Sequence, residues 1–554
     1  MQNIDPITLD VWWNRFISIV DEMAAAVERT AFSNVVRGSN DYCCALLDAE
    51  GNLVAQNTRT IPSFIGTIAC TVRHFLSVFP PESLSEDDVI ITNDPWVSSG
   101  HLPDLSVALP IFFRERLVGF CGITLHLPDI GGRGASPDTK DFFEGGLFIP
   151  TVKLYSKGVI DQTVQSFITR NVRIPREVMG DIEAAITACK TGEARVIDFL
   201  REYALADLTL LATSVQAVSE RAMREAIRKI PNGTFSDTVV FDGWDHPLTV
   251  QASVTIDNDE IEIDFAGTSP QVGFGINSVY NYTYAYAVYA IKCAICPFVP
   301  NNEGSCKPVK VLVPEGSVLN PKFPAPVSAR YLSAHFIQAA VFGALAKVIP
   351  DRINADASAP FWGLIVHGQR ETGEVYVAHG LTANGGQGAS AQSDGISCLC
   401  IPSNVGSVQV EVIENSTGLF VGEKELVPDS AGPGQHRGGL AQRVTIGSAS
   451  PFRTRAFLLT ERIQHPARGL LGGRDGTPGA IFKNGVPIGE PKAEVTLNQG
   501  EYVTLLLPGG GGFGDARLRD PERIKSDLRN GYITLEGARR DYGFTPPVHE
   551  PGPK

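Results

Sequence analysis

Two short loops carry most of the side chains in this sequence that could do metal chemistry. The first reads Asn93-Asp94-Pro95-Trp96-Val97-Ser98-Ser99-Gly100-His101-Leu102-Pro103-Asp104, and the second His126-Leu127-Pro128-Asp129-Ile130-Gly131-Gly132. Between them, residues 105–125 read as two apolar strands, 105–112 and 117–125, turned at Arg114-Glu115-Arg116. A hairpin brings its two ends together, so it would set His101 and Asp104 beside His126. Two imidazoles and a carboxylate that leave coordination positions open are how a catalytic divalent ion is held. The same side chains can serve structure alone, because a loop histidine is commonly just a hydrogen-bonded residue; the pattern leaves both readings open. Asp94 and Asp129 compete for a ligand role, although each can simply cap a turn. Asp41, at the start of an early strand, is a further candidate, with strand capping as its alternative.

These loops need a frame. Asp5-Pro6 opens a helix in which Val11, Trp12, Phe16, Val20, Met23, Ala24 and Val27 form an apolar stripe reaching to about Thr30. A strand at 41–48 turns at Asp48-Ala49-Glu50-Gly51 into a return strand at 52–56. A helix is expected at 64–79, and a short strand at 89–92 delivers the first loop. Residues 172–230 read as helical in three pieces, 176–189, 192–211 and 217–229. From Thr234 the period is two, with strands at 250–256, 261–264 and 309–313 and a turn at Asp257-Asn258-Asp259 between the first two. A helix at 333–348 interrupts this pattern. Residues 364–507 are mainly β, with glycine-dense loops at 384–388, 432–439, 469–476 and 509–514, and two short helices close the chain at 521–529 and 535–542. The expected architecture is mixed α+β. It is a large multi-layer unit with a β-rich centre and C-terminal half, and with helices near the N-terminus and at 172–230. Its regions are a metal-binding α/β part (1–230), a β-rich part with one helix (231–445), and a β-rich part with a helical tail (446–554).

At 554 residues, two or three packed regions are the prior. Glycine (55) and proline (37) are abundant enough to favour a turn-rich, stranded protein over a helical bundle. A net charge of −14 argues against a nucleic-acid surface and against an anionic membrane. The first residues lack the basic start and apolar run of a secretory signal, and no uncharged run reaches the ~20 residues that span a bilayer. The nearest, 280–291, is tyrosine-rich and too short. Ten cysteines without a signal then suggest reduced thiols in the cytoplasm. Cys293-Ala-Ile-Cys296 with Cys306 resembles part of a zinc or redox motif, but a structural zinc site needs four ligands and no second close pair stands nearby. Cys398-Leu-Cys400 alternates as in a strand. These thiols read best as small buried apolar side chains.

Other motifs carry less. Gly509-Gly510-Gly511-Gly512-Phe513-Gly514 satisfies G-x-G-x-x-G, but the helix and second strand of a dinucleotide site do not follow it, so a tight glycine turn is expected. The chain contains no P-loop and no G-x-S-x-G elbow. Ser98 and Ser99 stand near His101, yet nothing marks a base and its orienting partner. The loops Thr382-Ala383-Asn384-Gly385-Gly386-Gln387-Gly388 and Ser393-Asp394-Gly395 either line a pocket or simply turn. Arg330 and His335 are candidates for holding an anion.

Taken together, the motifs resemble those of the hydantoinase B/oxoprolinase family. They are Asn93-Asp94-Pro95, His101-Leu-Pro-Asp104 and His126-x-x-Asp129-Ile-Gly-Gly132, then Asp264-Phe-Ala-Gly-Thr-Ser-Pro270 and Pro314-Glu-Gly-Ser-Val-Leu-Asn-Pro321. Pro433-Gly434 with Arg437-Gly-Gly439, and Pro508-Gly-Gly-Gly-Gly512 with Gly514-Asp515, complete the set. The likeness runs in the family's order from about residue 5 to about 540. It implies a large mixed fold that works with a hydantoinase A-type, ATP-binding subunit or a fused equivalent. Members include hydantoinases, 5-oxoprolinases, caprolactamase-type hydrolases, and the acetone and acetophenone carboxylases. In the acetone carboxylase branch a manganese ion sits on positions that match His101, Asp104 and His126. In the lactamase-like branch an aspartate matching Asp41 joins them. Asp129 is a further candidate, for orienting a ligand from outside. Two departures bear on substrate more than on metal: Leu127 stands where many members have a second histidine, and Ser98-Ser99-Gly100 replaces a common Gly-Gly-Thr.

The resemblance therefore implies a metal-binding catalytic subunit of an ATP-dependent cyclic amide hydrolase. The partner's ATP would phosphorylate the amide oxygen of a small cyclic substrate, and water activated by a divalent metal (manganese, with zinc or iron as alternatives) would attack the product. A ketone carboxylase subunit is the alternative, although the chain length suits the hydrolases better. A non-catalytic structural subunit is a further one.

Overall fold

The computed structural model describes residues 4–489, 492 and 494–545. Helix α1 (Pro6–Thr30) starts where its cap chemistry demands, with the Asp5 carboxylate accepting from the amides of Ile7 and Thr8. It is followed by β1 (Tyr42–Asp48), β2 (Leu53–Gln56), α2 (Thr67–Val78), β3 (Val89–Thr92), β4 (Asp104–Phe113), β5 (Arg116–His126), β6 (Val152–Ser156) and β7 (Val159–Ile160). The seven strands form one antiparallel sheet in the order β2-β1-β5-β4-β3-β6-β7. After a shorter helix at Gln162–Asn171 come helices α3 (Pro175–Glu202) and α4 (Thr209–Ile227). Side chains of α1, α3 and α4 form one core with one face of the sheet, through Phe16, Val20, Ile182, Val215, Val107 and Ile123. Ile68, Val72 and Phe75 of α2 cover the other face at Ala45, Ala108 and Phe120. Burial on both sides explains why β4 and β5 are apolar almost without interruption.

The expected hairpin is present, and its register decides the site. Asp104 and His126 are direct cross-strand partners, the last such pair at the open end of the ladder. Tyr42 pairs with Leu125, so Asp41 arrives at the same end from the neighbouring strand. At the closed end, Arg114 and Glu115 both take left-handed backbone (φ 52° and 62°), which is what a two-residue turn between twisted strands requires.

Strands β8 (Gly233–Phe241), β9 (Leu248–Asp257), β10 (Glu260–Asp264) and β11 (Val309–Leu312) make a second sheet, in which β10 and β11 are parallel. Helices α5 (Tyr280–Ile295) and α6 (Phe336–Leu345) share its core. The C-terminal half adds β12 (Trp362–Gln369), β13 (Val375–Ala383), β14 (Leu419–Leu426), β15 (Gln442–Ser448), β16 (Thr454–Leu459), β17 (Ala480–Lys483), β18 (Val486–Pro487), β19 (Glu494–Leu497) and β20 (Tyr502–Leu506). They form two sheets, β13-β12-β16-β19 and β14-β15-β20-β17-β18, with a common core that includes Trp362, Leu364, Ile446 and Leu505. Helices α7 (Pro521–Arg529) and α8 (Leu535–Tyr542) end the described chain. The architecture is mixed α+β, with the expected β-rich centre and C-terminal half. Among the described residues no helix is long and apolar enough to cross a membrane.

Several local expectations are corrected. Residues 176–211 do not break near Gly192, because α3 runs unbroken from Pro175 to Glu202. Gly192 serves close approach instead: a Cβ there would lie 2.4 Å from Met23 Sδ and 2.9 Å from Cys121 Sγ. The stretch 64–79 begins as a 3-10 turn, and α2 starts only after the left-handed Gly66. The helix expected at 333–348 is two shorter pieces, Tyr331–Ala334 and Phe336–Leu345. The segment around 280–291 is the buried helix α5, and Cys398 lies in irregular, left-handed backbone rather than a strand. All ten cysteines are free thiols. The glycines at 509–512 do not form a tight turn. They are threaded between other glycine segments, with Gly439 donating to Gln387, Gly510 to Gly439 and Gly512 to Arg474 through the backbone.

Candidate functional site

The open end of the β4–β5 hairpin faces two other parts of the molecule. One is the segment before α6, which supplies Ser328 and Arg330; the other is β13, which supplies His379. Between them lies a cavity of about 80 Å³, with room for a few waters or for an ion with its waters. Asp41, His101, Asp104, His126, Arg330 and His379 are on its wall, and Tyr282, Phe361, Leu381 and Leu459 make much of the rest apolar.

His101, Asp104 and His126 are all buried. His101 Nε2 lies 2.8 Å from Asp104 Oδ1, His126 Nδ1 lies 2.9 Å from the same oxygen, and the two nitrogens are 3.2 Å apart. Ligand atoms at right angles around an ion and ~2.1 Å from it lie ~3.0 Å from each other, so this triangle has the size of one face of a coordination sphere. Among the described residues these three form a group whose donor atoms all come within 4.8 Å of one another. The surroundings leave the right atoms free. His101 Nδ1 is 2.9 Å from the Ser328 carbonyl, which can only accept, so Nδ1 carries the proton and Nε2 keeps its lone pair. Asp104 Oδ2 is taken by the Ser99 hydroxyl at 2.6 Å and by Arg330 Nη2 at 2.5 Å, leaving Oδ1 for the triangle. The donor set fits a divalent ion.

The electrostatics agree with a cation site. Burial alone would raise the Asp104 carboxyl, but Arg330 and the two imidazoles hold it well below the usual range, so it is ionised. Burial and Arg330 push His101 down to about 4, which keeps it neutral as a ligand must be. Burial lifts the Asp41 carboxyl to about 6, with His126 opposing the shift. His379 is pushed well below its ordinary value by burial, with His126 adding to the effect.

The other expected residues sort clearly. Asp41 is on the same cavity, and its carbonyl accepts from the His126 amide, but its carboxylate stands outside the triangle. Asp94 caps its own turn at the Trp96 amide. Asp129 does not orient a ligand; it accepts from Gly131 and from the backbone and guanidinium of Arg173, tying the second loop to the start of α3. Ser98 bonds Ser106 and Ser99 bonds Asp104, so both serines brace the loop. Asn93 braces it further through the carbonyls of Leu102 and Leu147. Arg330 belongs to the site as the partner of Asp104, with its guanidinium 4.1 Å from the centre of the Tyr282 ring. A Cβ on Gly100 would come within 2.6 Å of Arg330 Cδ, which is why that loop position is glycine. His335 bonds the Tyr286 hydroxyl and is buried. Two site residues escaped the sequence reading. Ser328 acts through its backbone, which no side-chain pattern reports. His379 is a lone histidine in an apolar strand, 253 positions from the ring it touches.

Comparison with known proteins gives this geometry a family. The family model described as Hydantoinase B/oxoprolinase matches residues 5–516. The chain is 30% identical to the beta chain of the caprolactamase of Pseudomonas jessenii, covering 98% of this chain and 96% of that one. It is 29% identical to the B component of a putative D-/L-hydantoinase of a Pseudomonas species (strain NS671), again over 98% and 96%. The crystal structure of the ATP-dependent caprolactamase from Pseudomonas jessenii superposes with a TM-score of 0.91 at 27% identity, covering 98% of this chain and 96% of that one. An acetone carboxylase structure shares the fold at a TM-score of 0.89 and 18% identity, over 98% of this chain and 80% of that one.

Proposed function

Since this chain belongs to the hydantoinase B/oxoprolinase family, we propose that it is the metal-binding catalytic subunit of an ATP-dependent cyclic amide hydrolase. The observation that carries this reading is the triangle of His101 Nε2, Asp104 Oδ1 and His126 Nδ1 in a cavity with apolar walls. His101, Asp104 and His126 would hold the ion, with Asp41 on the same cavity wall as the candidate fourth ligand. An ion bound there supplies Lewis acidity and makes water a competent nucleophile near neutral pH.

The chain's own residues do the rest. Ser328 fixes the His101 tautomer, while Arg330 and Ser99 pin one oxygen of Asp104 so that the other points inward. Tyr282, Phe361, Leu381 and Leu459 exclude bulk water and suit the methylenes of a small ring. An amide carbonyl is a poor electrophile, and this chain has no P-loop to activate it with ATP. In this reading the activating phosphoryl transfer falls to a hydantoinase A-type partner. Two of the relatives are themselves named as one component of a larger enzyme, which supports a heteromer.

The test is reconstitution with the ATP-binding partner, following phosphate release and ring opening with hydantoin, 5-oxoproline and caprolactam, and with acetone plus bicarbonate. A cyclic amide should stimulate ATP hydrolysis. His101→Ala and His126→Ala should each lose the bound metal, measured by elemental analysis, together with turnover, while the partner still binds ATP. Full activity in the His101→Ala/His126→Ala double variant would sink the reading, and stimulation by acetone with bicarbonate alone would replace the hydrolase with a carboxylase.

A further inference from the structure

His126 meets the triangle through Nδ1, and its other nitrogen, Nε2, lies 3.3 Å from His379 Nδ1. A neutral imidazole that offers the Nδ1 lone pair carries its proton on Nε2, so in the ligating form His126 is the donor of this contact and His379 the acceptor. The rings stand with centroids 5.2 Å apart and planes tilted by 52°, so the contact runs edge to edge and is not a stack. We propose that His379 is a positioning residue for the metal site: it accepts the Nε2–H of His126 and thereby holds that ring in the tautomer and rotamer that turn Nδ1 toward Asp104 and His101.

The inference rests on the metal reading above and adds a residue from a distant part of the chain. Ligating histidines almost always donate their second N–H to an outer acceptor, and loss of that acceptor weakens metal binding 10–100-fold. His101 uses the Ser328 carbonyl for this purpose. The outer nitrogen of His126 instead meets a side chain on β13, a strand of another sheet. His379 stands in the wall between the ion cavity and a second one of about 430 Å³, so the acceptor is set by β13 and not by a mobile side chain at the surface. The β13 sheet and the hairpin sheet therefore meet at a ligand, and the site is complete only when the two halves of the chain are packed.

The experiment measures Mn²⁺ and Zn²⁺ affinity of the full chain by equilibrium dialysis for wild type, His379→Phe and His379→Asn. Phenylalanine keeps the ring volume without an acceptor; asparagine Oδ1 replaces Nδ1 at nearly the same place. The expected result is a 10–100-fold rise in Kd for His379→Phe and recovery to within a few-fold of wild type for His379→Asn, with far-ultraviolet circular dichroism of the metal-free forms unchanged. If His379→Phe does not fold, His379→Leu takes its place. Wild-type affinity in the acceptor-less variant overturns this inference while leaving the metal site standing, and so does equal weakening in His379→Phe and His379→Asn. A wild-type chain that binds neither ion overturns the metal reading itself.

Discussion

The chemistry of the site depends on one oxygen of Asp104 being free while the other is fully occupied. Arg330 and Ser99 hold Oδ2, and both His101 and His126 approach Oδ1. Arg330 is buried and its charge is what keeps this buried carboxylate ionised against the pull of burial. Replacing it with a neutral side chain of similar length removes that counter-charge, and breaking a buried pair in this way typically costs about 3 kcal/mol. Arg330→Met should therefore lower stability by that order in the presence of a chelator. A saturating divalent ion should return a good part of the loss, because a cation beside Oδ1 takes over the neutralising role. Urea unfolding of wild type and variant, with and without the ion, reads both effects. An equal loss under the two conditions would mean that no ion sits next to Asp104.

The hairpin is the element that makes the site, and its strength is distributed unevenly. Its open end is fixed by the Asp104–His126 pair and by β1, whereas its closed end is a turn of two non-glycine residues in left-handed backbone. Arginine and glutamate are poor choices there, since left-handed backbone favours Asn and Gly and the two-residue turn favours Asn-Gly. Combining Arg114→Asn with Glu115→Gly should raise stability by about 1 kcal/mol and leave metal affinity unchanged, because the turn lies at the far end of the ladder from His101, Asp104 and His126. A shifted denaturation midpoint with an unmoved Kd confirms this. A changed Kd would show that the hairpin register responds to its turn.

The C-terminal half of the molecule is tied together by glycine. Segments around Gly386, Gly439 and Gly510 pass so close that a Cβ on Gly386 would sit 1.8 Å from the Gly439 carbonyl oxygen, and one on Gly510 would sit 2.1 Å from the carbonyl oxygen of Gln387. Both positions are blocked by backbone, which cannot swing aside as a side chain can. Gly386→Ala and Gly510→Ala should each prevent folding or cost several kcal/mol, whereas Gly273→Ala, at a position with open space around the Cβ, should behave as wild type. Yield of folded protein and thermal unfolding report the difference; a stable Gly386→Ala would show that the packing can relax. The segment that holds Gly386 follows directly from the end of β13 at Ala383, so disturbing it should also reach the proposed metal site through His379.

Much was legible in the sequence because it is local. The cap at Asp5-Pro6, the apolar run of 105–125 and the placement of two ligand-bearing loops at the ends of one hairpin follow from spacing alone, and together they point to His101, Asp104 and His126. The family motifs extend that reading to a catalytic subunit. The tertiary structure decided what depends on partners far away in the chain. Gly192 looked like a helix break until Met23 and Cys121 were seen against it. Asp129 looked like a ligand's companion until Arg173 claimed it. Arg330 and His379 enter the site from 226 and 253 positions away. Spacing along a chain encodes backbone geometry over a few residues, whereas an outer partner is chosen by packing between sheets, which short-range periodicity does not carry.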